Sequence, residues 1–219
     1  MKILLFLFSL LILMGACTEN KKQEQPLPET GDTAVIVEPV REDTLIDADY
    51  TFEEAIRGTK APQSIIRQLE LFDVVYQSTD GKIHKGQILS NKKIAEEIKT
   101  LFTFMLNEGF VVEKAIPLVR YNWNDSLSMD DNNSYCFCYR NIAYSRHASG
   151  MAIDINPRFN PLRWKKVNRP NQPEGALLDT TVNGTLYPSH PVVEEFRKRG
   201  FRWGHTFSKY YDDHHFEKR

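Results

Sequence analysis

The sequence predicts an α+β fold: a small, largely antiparallel sheet with helices packed on one side of it. Three observations carry that class. Two apolar runs, Leu71–Gln77 and Lys82–Leu89, flank Asp80-Gly81, the dipeptide of a tight hairpin. One long stretch, Ile94 to Leu106, repeats its apolar residues at three- and four-residue steps, the period of a helix. Short apolar runs then return late in the chain, so strands and helices are segregated rather than alternating.

Taken in order, Thr51-Phe-Glu-Glu54 has the spacing of a capping box and starts a short helix. Pro62 to Leu71 carries a second short helix, and the hairpin follows. In the long helix the stripe Ile94, Ala95, Ile98, Leu101, Phe102, Met105 and Leu106 is core, and Gly109 ends it. Ala115–Tyr121 reads as a strand. Asn122–Ser134, polar and rich in Asn and Asp, reads as a loop. Met151–Ile155 is a buried strand, and Pro157–Pro188, with five prolines, is irregular. Ser189 caps a helix that has Pro191 near its first turn and Gly200 past its end. Phe201–Trp203 and His215–Glu217 are short closing strands.

At 219 residues, 41% hydrophobic and 26% charged, the chain fits one globular domain with residues to spare. A net charge of -1 with no basic block argues against a nucleic-acid partner, and a monomer is expected. The spare residues lie at the front. Residues 1–17, MKILLFLFSLLILMGAC, run from Lys2 through an apolar stretch to small residues before Cys17. The stretch is shorter than the ~20 residues a membrane span needs and reads as a secretory signal. Its Met-Gly-Ala-Cys ending resembles the lipobox of bacterial lipoproteins, which implies lipidation of Cys17. A plainly cleaved secretory signal is the alternative.

Residues 18–49 read as a flexible acidic tether. Residues 18–50 hold nine acidic side chains, three basic ones and three prolines, too little apolar surface to fold on. AVIV at 34–37 is a weak strand candidate within it. The domain then spans 50–219, slightly basic once the tether is set aside. The implied address is extracytoplasmic, held to a bacterial membrane by lipid, on the periplasmic face. Cys136 and Cys138 are too close in sequence for an easy disulfide, and read as two small side chains on one face of a strand.

Two stretches carry chemistry. Ser145-Arg-His-Ala-Ser-Gly-Met-Ala-Ile-Asp154 sets His147 seven residues ahead of Asp154, with Gly150 between to let the backbone turn. A catalytic zinc takes three ligands from His, Asp, Glu or Cys, and this stretch offers two. Alone it reads equally well as a loop histidine and a strand-end aspartate bound to backbone. Near the end, Asp212-Asp-His-His-Phe-Glu217 brings two histidines and three carboxylates into six residues, after Trp203, Phe207, Tyr210 and Tyr211. Those aromatics argue that the segment is packed rather than a loose tail.

Together, Ser-x-His-x-x-Gly-x-Ala-x-Asp and Asp-x-x-His-Phe-Glu resemble the zinc peptidases of the D-alanyl-D-alanine carboxypeptidase and L-alanyl-D-glutamate endopeptidase family. The matching residues are Ser145, His147, Gly150, Ala152, Asp154, Asp212, His215, Phe216 and Glu217. The resemblance implies His147, Asp154 and His215 as zinc ligands in a cleft at the sheet, with Asp212 as general base. It also implies an arginine for the oxyanion, for which Arg140 is the candidate and Arg120 a weaker one. Ser145 and Glu217 would support the ligands or the substrate, Glu217 by orienting a ligand histidine. The implied substrates are peptidoglycan stem peptides, and neither the bond cut nor carboxy- against endopeptidase action is readable.

Asn122–Ser134 and Pro157–Pro188 would wall the cleft. The rival reading is a catalytically inactive, peptidoglycan-binding lipoprotein that keeps the fold; a peptidase of proteins or signalling peptides is a third. The family commonly shows Trp-Gly-Gly where this chain has Trp203-Gly204-His205, so His205 either faces the pocket or is a plain loop histidine. Adjacent strand residues face opposite sides, so with His215 inward, His214 and Asp213 are expected outward. His84 and His190, with no cluster around them, are expected to be structural or exposed.

Overall fold

A computed structural model describes residues 43–140, 142 and 144–219. Cys17, the signal-like segment, the tether up to residue 42 and the strand candidate at 34–37 lie outside the described residues. The described chain begins with β1 (Leu45–Ile46), α1 (Phe52–Ala55) and α2 (Gln63–Ile66). Thr51 caps α1 reciprocally with Glu54, the expected box. The hairpin follows as β2 (Leu69–Gln77) and β3 (Ile83–Asn91), paired antiparallel from Leu69↔Asn91 to Gln77↔Ile83. Its turn is closed by Ser78 N–H donating to the Lys82 carbonyl at 2.9 Å. β1 adds to β3 in parallel, so packing starts by Leu45, ahead of residue 50. Asp47 anchors that start: it accepts from the Tyr76 hydroxyl and lies 3.0 Å from His84 Nδ1.

Helix α3 (Ala95–Asn107) buries Ala95, Ile98, Leu101, Phe102 and Met105, the face its periodicity predicts. After it the structure departs from the sequence expectation. A strand over Ala115–Tyr121 is cut to β4 (Lys114–Ala115), because Pro117 has no N–H for a ladder and Leu118–Tyr121 coil into a 3-10 turn. The expected loop at 122–134 contains α4 (Asp125–Asp130), started by the Asn124 side chain accepting from Leu127 N–H at 3.2 Å. The same stretch ends in β5 (Asn133–Ser134), parallel to β4.

The buried strand is β6 (Ala152–Asp154). The proline-rich stretch holds one three-residue strand, β7 (Leu162–Trp164). The last helix, α5 (Pro191–Lys198), is capped by His190 rather than Ser189, its Nδ1 accepting from Val192 N–H at 3.1 Å. The chain closes with β8 (Arg202–Trp203), β9 (Tyr210–Asp212) and β10 (His215–Glu217).

The α+β class stands, but the single sheet expected is four small ones among the described residues: β1-β3-β2, β6-β10-β8, β4-β5 and β7-β9. What joins the two larger sheets is apolar. Ile88 of β3, Ile153 of β6, Trp203 of β8 and Phe216 of β10 belong to one buried cluster with the inner faces of α3 and α5. Phe216 is its pivot. It stacks on Phe196 of α5 with ring centroids 3.9 Å apart, while its chain neighbours His215 and Glu217 point the other way.

Candidate metal centre

β6 and β10 pair antiparallel with His215 directly opposite Asp154. The pleat that sends Phe216 and Ile153 into the core therefore sends His215 and Asp154 together to the other face. His147 joins them from a 3-10 turn, His147–Ser149, just ahead of β6. Gly150 ends that turn at φ 69°, where a side chain would be strained, and a Cβ there would meet Asn91 N at 2.7 Å. The glycine lets the turn lie flat against the end of β3.

The three donors converge. His147 Nε2 lies 3.1 Å from Asp154 Oδ1 and 3.0 Å from His215 Nδ1, and His215 Nδ1 lies 3.0 Å from the same oxygen. All three residues are buried. The outer nitrogens are also committed. His147 Nδ1 donates to the Cys136 carbonyl at 2.7 Å, and Cys138 N–H donates back to the His147 carbonyl at 3.1 Å. His215 Nε2 lies 3.4 Å from Glu217 Oε2, two residues along the same face of β10. With a metal bound, these partners would keep the protons on the outer nitrogens and leave both inner lone pairs facing the ion.

Such a donor set suits zinc: two imidazole nitrogens and one carboxylate oxygen. Tetrahedral ligands at about 2.1 Å lie roughly 3.4 Å apart, close to the spacing found here. Electrostatics favour an ionised aspartate. Burial raises the Asp154 pKa, but His147, His214 and the hydrogen bonds to His147 and His215 outweigh it and hold the carboxyl well below its usual range.

The centre opens on a cavity of about 780 Å³, lined by Arg140, Ser145, His147, Asp154, Asp212, His214, His215 and Glu217 among others. Asp212 ends β9 at its edge. Gly204 makes room for it, since a Cβ there would meet the Asp212 carbonyl at 2.7 Å and His215 Cβ at 3.1 Å. Arg140 sits half-buried with Nη2 2.8 Å from Asp125 Oδ2 and donating to the Tyr135 hydroxyl at 3.4 Å. Arg120 is exposed in its 3-10 turn and does not line the cavity. Both expected walls contribute, with Asp125 and Met129 from one and Leu162, Gln172 and Pro173 from the other.

The outward placement of Asp213 and His214 is overturned. Both lie in the turn between β9 and β10, where strand alternation does not operate, and both are buried. His214 faces the cavity. Its Nδ1 donates to the Asn160 carbonyl at 2.7 Å, and its Nε2 lies 2.9 Å from Asp212 Oδ1 and 3.9 Å from Asp154 Oδ2. His205 stays out of the cavity, stacked on Trp203 and bound to Asp213.

Cys136 and Cys138 are free and buried, and burial pushes both thiols up. They lie outside any strand. Their contribution to the centre is backbone: the carbonyl of one and the N–H of the other hold His147. Sequence reasoning missed this clamp, as well as Asp125, Tyr135 and the inward turn of His214. Only Asp125 had a readable signal, as the first residue after the helix cap Asn124.

The residues around the site also carry a family match. Residues 140–218, from Arg140 through β10, match the profile of the family described as D-alanyl-D-alanine carboxypeptidase. No curated protein and no solved structure gives a significant match.

Proposed function

From the match of residues 140–218 to the family described as D-alanyl-D-alanine carboxypeptidase, we propose that the protein is a zinc-dependent peptidase of that family. Its substrates are peptidoglycan stem peptides, cut at bonds that involve D-amino acids. The observation that carries this reading is the convergence of His147, Asp154 and His215 at the floor of a cavity that Asp212 also lines. Zinc held by those three side chains would supply a Lewis acid and bring the acidity of water towards neutrality, to a pKa of about 7.

The chain's own groups do the rest. The Asp212 carboxylate takes the proton of the attacking water and returns it to the leaving amine. His214 Nε2, beside Asp212 Oδ1, holds that carboxylate in place. The Arg140 guanidinium, set by Asp125, offers its remaining donors to negative charge on the substrate. Glu217 fixes the His215 ring, and Ser145 lines the approach. The lipid anchor at Cys17 would place the domain outside the cytoplasm, beside the wall it acts on.

The test joins metal analysis to mass spectrometry of digested muropeptides. The purified chain is expected to hold one zinc per molecule and to release a defined stem fragment. Asp212→Asn is expected to keep the zinc and lose hydrolysis by ~100-fold or more, the scale of a lost general base. Full activity in that variant would remove Asp212 from the role. Tight binding to cell-wall sacculi without zinc or hydrolysis would favour a wall-binding protein that merely keeps the fold.

A further inference from the structure

We propose that Asp213 is a positioning residue for the base Asp212, set by Arg163 of β7, whose neighbour Leu162 lines the cavity; this rests on the peptidase reading above. Asp213 is 1% exposed, yet every acceptor it has is used. Oδ2 accepts from Arg163 Nε at 2.8 Å and lies 2.8 Å from Arg163 Nη2, a two-pronged pairing. Oδ1 lies 2.6 Å from His205 Nδ1, and the backbone carbonyl accepts from Trp203 Nε1 at 2.8 Å. Three residues from two parts of the chain, Arg163 of β7 and the Trp203–His205 stretch, thus meet on one turn residue.

That turn residue stands between Asp212 and His214, whose side chains touch at 2.9 Å, and His215 follows directly. Any rotation about residue 213 would swing the base on one side and a metal-facing histidine on the other. A buried ion pair is a weak source of stability, because desolvation offsets most of the attraction. Its place in the molecule is better explained by the geometry it fixes.

Arg163 gives the geometry a second end. It belongs to β7, which pairs with β9 at Leu162↔Asp212 and Arg163↔Tyr211, and its guanidinium lies 4.8 Å from the Tyr211 ring centre. Leu162 also bridges Gln172, and Leu162, Gln172 and Pro173 face the cavity. Arg163 therefore ties a substrate-facing wall to the strand that carries the base.

The test compares the full chain with Arg163→Met and Arg163→Lys. It measures zinc content, kcat and KM on the cleaved muropeptide, and the His214 Nε2 signal in the imidazole 1H–15N spectrum. Arg163→Met is expected to keep zinc and to lose ~10- to 100-fold in kcat with KM nearly unchanged, the scale of a misplaced catalytic group. Its His214 Nε2 signal should move as Asp212 shifts, and Arg163→Lys should recover part of both. Wild-type kcat with an unmoved His214 signal would overturn the proposal. So would a parallel loss of zinc, fold and activity that lysine does not relieve.

If Arg163→Met does not fold, Arg163→Lys keeps the charge without the fork and decides the matter: a wild-type kcat and signal there overturns the proposal equally. A wild-type chain inactive on every muropeptide would sink the peptidase reading instead. The His214 signal would then decide the positioning claim alone.

Discussion

Asp154 and its histidine neighbours hold opposite protonation tendencies in one buried space, and pH separates them. Burial pulls both His214 and His215 down, but the carboxylates of Asp212, Asp154 and Glu217 outweigh it, raising them to about 9 and about 10. A raised folded pKa stabilises the fold fully below the ordinary histidine value of 6.5, and the effect fades as pH climbs to those values. Asp154 acts the other way: its depressed pKa stabilises above the ordinary 3.8 and is lost as pH falls.

Metal-free protein is therefore expected to melt highest between about pH 4 and 6.5, and lower by pH 9. Zinc-loaded protein should show its largest gain over metal-free protein at the alkaline end, since the metal needs deprotonated ligands. Thermal melts of chelated and zinc-loaded samples at several pH values check both signs. His215→Ala should abolish stoichiometric zinc, whereas His214→Ala should keep zinc and lose activity; the reverse pattern, read by metal analysis, would exchange their roles. His147, Asp154 and His215 were legible as a converging group, and Asp212 as their neighbour, because their side chains are chemically distinctive and the two stretches resemble one family's paired motifs. The Cys136 carbonyl that orients His147 was not, since every residue type offers a carbonyl.

Elements were legible where they were long. The β2–β3 hairpin and α3 carry enough periodic residues to announce themselves, and their bounds match the expectation closely. The two- and three-residue strands β4, β5, β7 and β9 have no period to read, because their pairing partners are remote in sequence. β10 is equally short, yet its chemistry gave it away. Its middle residue, Phe216, ties the face that carries His215 to α5. Phe216→Ala is expected to cost ~3–5 kcal/mol of stability by leaving a core cavity. It should also weaken zinc binding by loosening His215, which denaturant titration with and without the metal would reveal.

At the scale of the whole domain, the sequence placed the start of folding at residue 50, but β1 and Asp47 already pack on β3 and Tyr76. A chain begun at residue 50 should melt several degrees lower than one begun at 43, since about 1 kcal/mol shifts the midpoint by ~2–4 °C at this size. Equal midpoints would make the β1 contact dispensable. The segment was unreadable because its composition is that of a tether, and only the hairpin edge beside it makes a strand of it. The facing of His215 and Asp154 across β6 and β10 has a further consequence. A strand slipped by one residue would set Phe216 against Asp154 and turn the histidine inward. The capacity to hold metal would then vanish along with the correct pairing. Metal uptake by this centre would thus serve as a proofreading signal for the fold, one that a mispaired molecule could not counterfeit.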